Sequence, residues 1–430
     1  MPLVSFVVIA YNVRSYISEC LQSLKEQTLD DFEVIVIDDA STDGTRECID
    51  EIIKNDHRFR LIPKSMNEGA HLARRTGVLA TTGEYVFFID GDDYVSELLC
   101  EQLSLMINKT QTDIIRFGVD AFPEGESDSG TAKSVELVFN SAKGIRRDGA
   151  ILESVFSDIL VPRETWSITV CAYRGDFARH AFSEMTSSRL GYMEDTYEFF
   201  VAANEARELR NYVDFHALKY RIGAGRSGQK RYTAEEYIKR QQEVHDMYLH
   251  LCDYCATFSN DISLDNAKEW MYKQYLSMLC TDWVTRLSAD SQRLVFSSIV
   301  NSWGAPSAGE MLLSPIQARA KWLLPQDTIP AHDDDFYRWS NLLETEVFPK
   351  LSSDQLSAYG AYYQLKNDVE QHMTDIVRQS EEQAQKQRTE ALQQEQERGF
   401  VLRAVDKVIP EGSLCRDMIR VVRAHKRRAK

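Results

Sequence analysis

Apolar positions in the N-terminal part of the chain follow two alternating patterns. Val4 to Ala10, Glu33 to Ile37, Phe59 to Ile62, Tyr85 to Ile89 and Asp113 to Phe117 are short runs rich in Val, Ile and Phe, as expected of parallel strands buried on both faces. Between them the spacing turns helical: Ile17, Leu21 and Leu24 recur at i, i+4 and i+7, and Cys48, Ile49, Ile52 and Ile53 share one face. Ser41, Thr42 and Asp43 offer N-caps for the second of these helices. Strand and helix in strict alternation, joined by right-handed crossovers, predict an open α/β sheet covered on both faces. Ligands then bind beyond the carboxyl ends of the strands.

Candidate chemistry falls at those ends. The fourth strand finishes in FFIDGDDY, Phe87 to Tyr94, with Asp90, Asp92 and Asp93 placing three carboxylates within four residues. Packed together they raise one another's pKa unless a cation joins them, and hard oxygen donors on a loop suit Mg²⁺ or Mn²⁺ completed by water and phosphate. A solvated acidic turn has the same letters. Ala10, Tyr11 and Asn12 close the first strand, and Asp38 and Asp39 the second. Tyr11 suits stacking on a nucleobase and Asp39 suits accepting from a ring N–H; a core tyrosine and a helix N-cap are the structural alternatives. Arg74, on the helix before the fourth strand, can neutralise phosphate or hold a base edge.

VSFVVIAYN, then YISECLQSLKEQTLDDFEVIVIDDASTDGT, then NEGAHLARRTGVLATTGEYVFFIDGDD together resemble the family 2 inverting nucleotide-sugar glycosyltransferases of GT-A fold. The resemblance implies a nucleotide-diphosphate sugar donor, usually UDP-linked, bound with Mn²⁺ or Mg²⁺. It assigns Tyr11 and Asp39 to the uracil, Arg74 to the donor, Asp90 to the D-x-D string, and Asp92 and Asp93 to ribose, metal and diphosphate. Ala10 stands where the family often has Pro, and Arg75 where it often has Asn; neither change removes a group the reaction needs.

Past residue 120 the resemblance loosens. Pro123 to Ser134, PEGESDSGTAKS, reads as a polar loop on the acceptor side. GYMEDTYEFF follows, and in related transferases an E-D pair in this context carries the general base, which points to Asp195 with Glu194 second. An inverting transfer needs one carboxylate opposite the leaving nucleotide to take the acceptor hydroxyl's proton; the same pair would also cap a helix N-terminus. SITVCAYRGDF keeps the family's Tyr173 and Arg174 but has Cys171 where lysine is usual, a departure on the acceptor side. HALKYRIGAGRSGQKR, His216 to Arg231, resembles the family's Y-R and G-S loop, from which Arg221, Arg226 and Ser227 would reach the diphosphate under a glycine-rich lid. The Q-x-x-R-W motif of processive synthases is absent, so one sugar per encounter is expected.

From Thr233 the strand signals fade. Residues 233–365 have helical spacing broken near Pro306 and Pro325. The lone C-x-x-C of Cys252 and Cys255 has no second pair to complete a zinc site, and His245 and His250 miss a common helix face. Residues 366–399 include SEEQAQKQRTEALQQEQERG, polar on every side, as in a solvated helix or spacer. From Val401 to Lys430 the charge reverses, with nine Lys or Arg against three Asp or Glu. Leu414, Met418, Ile419 and Val422 interleave with the bases, so this basic amphipathic tail suits an anionic membrane surface or a protein partner.

Composition bounds the rest. The chain has 430 residues, 43% hydrophobic and 27% charged, and a net charge of −16, which argues against nucleic-acid binding. No apolar stretch reaches the ~20 residues of a membrane span, and MPLVSFVVIAYN lacks a signal peptide's basic start and cleavage site. Eight cysteines without a spacing framework fit free thiols in the cytoplasm. The expected organisation is a GT-A domain over residues 1–232, with a nucleotide-sugar half (1–119) and an acceptor half (120–232). A helical domain (233–365), a polar helix (366–399) and the basic tail (400–430) follow. The expected activity is non-processive transfer from a nucleotide sugar to a glycan or lipid-linked hydroxyl. An inactive nucleotide-sugar-binding scaffold is the alternative. A nucleotidyltransferase would want a glycine-rich phosphate loop where Ala10 to Ser15 has none.

Overall fold

The computed structural model describes residues 1–107, 111–124, 129–159, 163–223, 231–259, 261–328 and 334–408. Nine strands among them form one sheet: β1 (Val4–Ala10), β2 (Phe32–Asp38), β3 (Phe59–Pro63), β4 (Tyr85–Asp90), β5 (Tyr94–Val95), β6 (Ile114–Pro123), β7 (Gly144–Arg147), β8 (Cys171–Arg174) and β9 (Glu208–Ile222). Their order is β3-β2-β1-β4-β8-β6-β9-β5, with β7 paired on β9. The β3-β2-β1-β4 core is parallel, and its register sets Ala10 opposite Asp38 and Ile9 opposite Asp90. Three carboxyl ends therefore finish at one level, as the alternation predicts. The antiparallel pairs β4 with β8 and β8 with β6 extend the sheet.

Helices α1 (Ile17–Lys25), α2 (Thr45–Ile53), α3 (Ala70–Leu79), α4 (Leu99–Ile107), α5 (Ser129–Phe139), α6 (Gly149–Val155), α7 (Gly175–Glu184) and α8 (Glu194–Glu205) accompany the strands. Phe6, Val7 and Val8 of β1 are fully buried, each such side chain contributing roughly 1.5–3 kcal/mol. Helix α3 lies close on β1: a Cβ at Gly77 would meet Val7 Cγ1 at 2.3 Å. Ala73 packs with Ile35 and Ile37, and Ile9, Ile62 and Ala80 close the cluster. This apolar seat holds the turn that carries Arg74.

Part of the expected loop at Pro123 to Ser134 is helical, since α5 begins at Ser129. Long-range partners explain it. Glu136 Oε1 accepts from the Ala121 amide at 2.9 Å, and the Asn140 side chain, just past the helix, clamps both the amide and the carbonyl of Val119. The edge of β6 thus holds a segment whose local composition favours a loop.

The remaining helices are α9 (Ala234–Cys255), α10 (Ile262–Arg286), α11 (Ala289–Leu323), α12 (Asp335–Leu342), α13 (Ser353–Ser357) and α14 (Gly360–Val408). The chain divides into two compact units, Met1–Met311 and Leu312–Lys430. In the first, α9 opens on a Thr233–Glu236 capping box and meets α10 through Tyr237, whose hydroxyl donates to the Leu279 carbonyl at 2.8 Å. The break expected near Pro306 is a kink at Gly304, φ 81°; Pro306 then falls in the first turn of the resumed helix, where its missing N–H costs nothing. In the second unit Asp334 caps α12 and pairs with Arg319, and Phe348 packs against Tyr359, Tyr362 and Tyr363. Every side chain of α14 from Val377 to Glu397 is exposed, as its all-round polarity predicts.

Candidate active site

At the carboxyl edge of the parallel strands lies a cleft of about 460 Å³. Its lining includes Ala10, Tyr11, Asp39, Arg74, Asp90, Asp92, Glu194 and Asp195, eight of the residues the sequence singles out. Tyr11 stands 43% exposed after β1, its ring free to present a face to a ligand. Asp39 is buried, and its two oxygens accept from the amides of Glu68 (3.0 Å) and Gly69 (2.8 Å). It thereby fixes the turn into α3. Gly69 needs its φ of 88° there, and a Cβ on it would press on the Leu190 carbonyl at 3.2 Å.

Arg74 is 3% exposed and faces three carboxylates. One terminal nitrogen donates to Asp90 at 3.0 Å; the other donates to Glu198 at 3.0 Å and pairs with Glu194 at 3.7 Å. Its Nε is buried without a partner among the described residues. The guanidinium therefore ties the end of β4 to the first turns of α8. At the head of α8, Met193 takes a left-handed φ of 61°, an uncommon conformation for a side-chain-bearing residue, and Glu194 and Asp195 enter the cleft from there. Burial first, and the Glu194 carboxylate second, push the Asp195 carboxyl up to about 7 against the pull of Arg74. Burial raises Glu194 as well, again opposed by Arg74.

The acidic run at the end of β4 divides. Asp90 and Asp92 line the cleft, and burial, then the charge of Asp90, push Asp92 up to about 6. Asp93 turns inward, 3% exposed, and accepts the Arg221 amide at 2.7 Å. Burial, then Asp92, hold its carboxyl well above the usual range. Arg221 supports this loop from behind. Its Nε donates to the Asp92 carbonyl at 2.8 Å, and its terminal nitrogens pair with Glu124 and Glu19. Asn12 has a structural post too: it accepts from the Thr42 amide at 2.8 Å, and its own amide donates to Ser41, locking the loops after β1 and β2 together. Arg226, Ser227 and the tail beyond residue 408 lie outside the described residues. Among the described residues no group of three or more His, Cys, Asp or Glu gathers as a metal site, so Cys252 and Cys255 stand without further ligands there.

The far wall of the cleft comes from residues that sequence reasoning passed over: Trp166, Thr169, Arg189, Tyr192 and Tyr220. Tyr192 is held from outside by Arg240, whose guanidinium lies 3.7 Å from the ring centroid. Cys171 lies buried in β8, while Ser167 and Ile168 ahead of it reach the cleft. Behind Arg74 two further residues went unnoticed, Glu198 and His71, both fully buried. Their only signal is spacing: His71 precedes Arg74 by one helical turn, and Glu198 follows Glu194 by one.

A parallel half-sheet, an acidic cleft at its strand ends and a carboxylate-bearing helix opposite make the arrangement of the GT-A fold. Residues 5–164 match the family model for glycosyl transferase family 2. The uncharacterized glycosyltransferase EpsJ of Bacillus subtilis is 42% identical over 118 residues, 27% of this chain and 34% of that protein. Glycosyltransferase GlyG of Streptococcus pneumoniae is 34% identical over 113 residues, 26% of this chain and 38% of its own length. These matches thus span about a third of the curated relatives. Among solved structures, residues 1–349 of S. aureus TarS in complex with UDP-GlcNAc align over 80% of this chain and 92% of that one, with TM-score 0.54 and 17% identity. At that identity the likeness concerns the fold. No helix among the described residues is long and apolar enough to cross a membrane.

Proposed function

We propose that this protein transfers one sugar per encounter, with inversion, from a nucleotide-diphosphate sugar to a hydroxyl of a glycan or lipid-linked acceptor in cell-surface polysaccharide synthesis. One observation carries the reading: Tyr11, Asp39, Arg74, Asp90, Asp92, Glu194 and Asp195 converge on a single cleft from strand ends and helices far apart in sequence. Tyr11 stacks on the base and Asp39 accepts from it, with a UDP-linked donor favoured by the TarS complex. Asp195 takes the acceptor proton; a carboxyl at about 7 is a stronger base than an ordinary one and is about half ionised at neutral pH. The acceptor enters along Trp166, Tyr192 and Tyr220, rings suited to the apolar face of a sugar.

The donor set also fits a divalent cation. Asp90 and Asp92 are hard oxygen ligands, burial and then the charge of Asp90 already raise Asp92, and two carboxylates leave room for diphosphate and water, as Mg²⁺ and Mn²⁺ prefer. Bound there, such a cation would neutralise charge developing on the diphosphate leaving group. Asp93 and Arg221 hold the loop in place. Residues 1–232 form the transferase domain in this reading. The region 233–365, the polar helix 366–399 and the tail 400–430 serve placement, the tail on an anionic membrane at the cytoplasmic face.

Calorimetric titration with UDP-, GDP- and dTDP-sugars, in Mn²⁺ and in EDTA, tests the donor half. Metal-dependent binding of one donor, lost in Asp92→Ala, is the expected result. A folded protein that binds none of them refutes the transferase reading.

A further inference from the structure

Arg74 has to serve two carboxylates in the cleft, Asp90 and Glu194, yet a third, Glu198, sits against it at 3.0 Å in full burial. A bare buried carboxylate there would draw most of the guanidinium's charge away from the cleft. The other oxygen of Glu198 shows how this is avoided. It lies 2.9 Å from Nδ1 of His71, and Nε2 of the same ring lies 2.9 Å from the Thr186 carbonyl. A carbonyl can only accept, so Nε2 carries a hydrogen. Nδ1 and the carboxylate oxygen cannot face each other bare at that distance in a dry interior, so a second proton lies between them. Whether it resides on nitrogen or oxygen, the pair's charges sum to zero.

We propose that His71 and Glu198 form one buried, net-neutral unit sharing a proton, and that this unit positions Arg74 while leaving its charge to Asp90 and Glu194. Both are positioning residues, since neither lines the cleft. The inference rests on the transferase reading for its consequence in catalysis, but not for its chemistry.

The proton count makes an unusual prediction for amide substitutions. In Glu198→Gln the new amide donates to a neutral His71 and its carbonyl accepts from Arg74. Every hydrogen bond survives, the unit stays neutral, and turnover stays within about threefold of wild type. Glu198→Ala removes the acceptor and lowers turnover about 10- to 100-fold, as loss of a supporting partner does elsewhere. His71→Gln strands an ionised Glu198 on Arg74 and gives a loss of about the same size. The double variant His71→Gln, Glu198→Gln is neutral again. In it the amide introduced by His71→Gln donates to the Thr186 carbonyl and accepts from the amide introduced by Glu198→Gln, and most of the activity returns. A space-filling role would make the double variant no better than the worse single one.

The experiment is this set of four variants in the full chain, read both as turnover and as thermal midpoint. The midpoints need no substrate, so they decide the proposal even if wild type transfers no sugar and the functional reading fails. Expected in both readouts is the order wild type, Glu198→Gln and the double variant above His71→Gln and Glu198→Ala. Glu198→Gln as impaired as Glu198→Ala, or a double variant no better than His71→Gln, overturns it. If His71→Gln does not fold, the two Glu198 variants decide by themselves.

Discussion

Asp195→Asn is the most direct probe of the chemistry. The substitution keeps the shape of the side chain, and the oxygen that accepts from the Thr196 amide at 2.8 Å can be retained by the amide carbonyl. Only the basic oxygen and its charge go. A positioned general base contributes about 10²- to 10⁴-fold, equal to about 2.7–5.4 kcal/mol at 1.36 kcal/mol per decade. Turnover should fall by that amount while donor affinity, which depends on the opposite side of the cleft, stays put. The pH profile adds an independent check. With the Asp195 carboxyl at about 7, turnover of wild type rises with unit slope up to about that pH and then levels, and the limb vanishes in the variant. Stability runs the other way. A folded pKa raised above the ordinary value of about 3.9 means that the native state binds more protons between about 4 and 7. The carboxyl's favourable share is full below 4 and lost as pH rises through 7. Asp195→Asn should therefore be more stable than wild type above pH 7, on the order of 1–3 kcal/mol. The assay is single-turnover transfer from the bound donor, with denaturant melts at two pH values. A variant keeping more than about a tenth of wild-type turnover, with the limb unchanged, refutes Asp195 as the base and moves the role to Glu194.

Other outcomes follow from the same geometry. Metal affinity should weaken as pH falls through about 6, because Asp92 must ionise to bind; a flat calorimetric affinity between pH 5 and 8 would remove Asp92 from the ligand set. Gly77→Ala places a Cβ 2.3 Å from Val7 Cγ1 and should cost about 1–3 kcal/mol by overpacking, seen as a lower urea midpoint at unchanged slope. An unshifted midpoint would mean that α3 does not sit so tightly on β1. Deleting residues 401–430 should release the protein from anionic liposomes at low salt while leaving transfer to a soluble acceptor unchanged. Sedimentation of the truncated chain with the vesicles would assign the anchor elsewhere.

Local reading went furthest where one strand or helix carries its own signal. The run expected at Glu33 to Ile37 is β2, Phe32–Asp38, and that at Tyr85 to Ile89 is β4, Tyr85–Asp90. It fell short where pairing is remote. The run read at Asp113 to Phe117 continues as β6 to Pro123 because β9 pairs along it from His216 to Ile222, in a stretch read as part of a loop. Helix α5 rose from a polar segment for the same reason.

What the sequence determined by itself is the alternation of strand and helix and the acidic ending of β4, since period and composition are local properties of a chain. Parallel pairing then leaves strand ends as the place for polar residues, so the cleft's position was legible as well. Only the tertiary structure decided which carboxylates face the cleft. Asp92 and Asp93 are neighbours in a row, yet one lines the cleft and the other is turned inward by an amide 128 residues away. His71 and Glu198 meet across 127 residues, and Arg74 and Glu198 across 124. The strength of a charge in this site depends on burial and on partners brought together by packing, and no spacing along the chain encodes either.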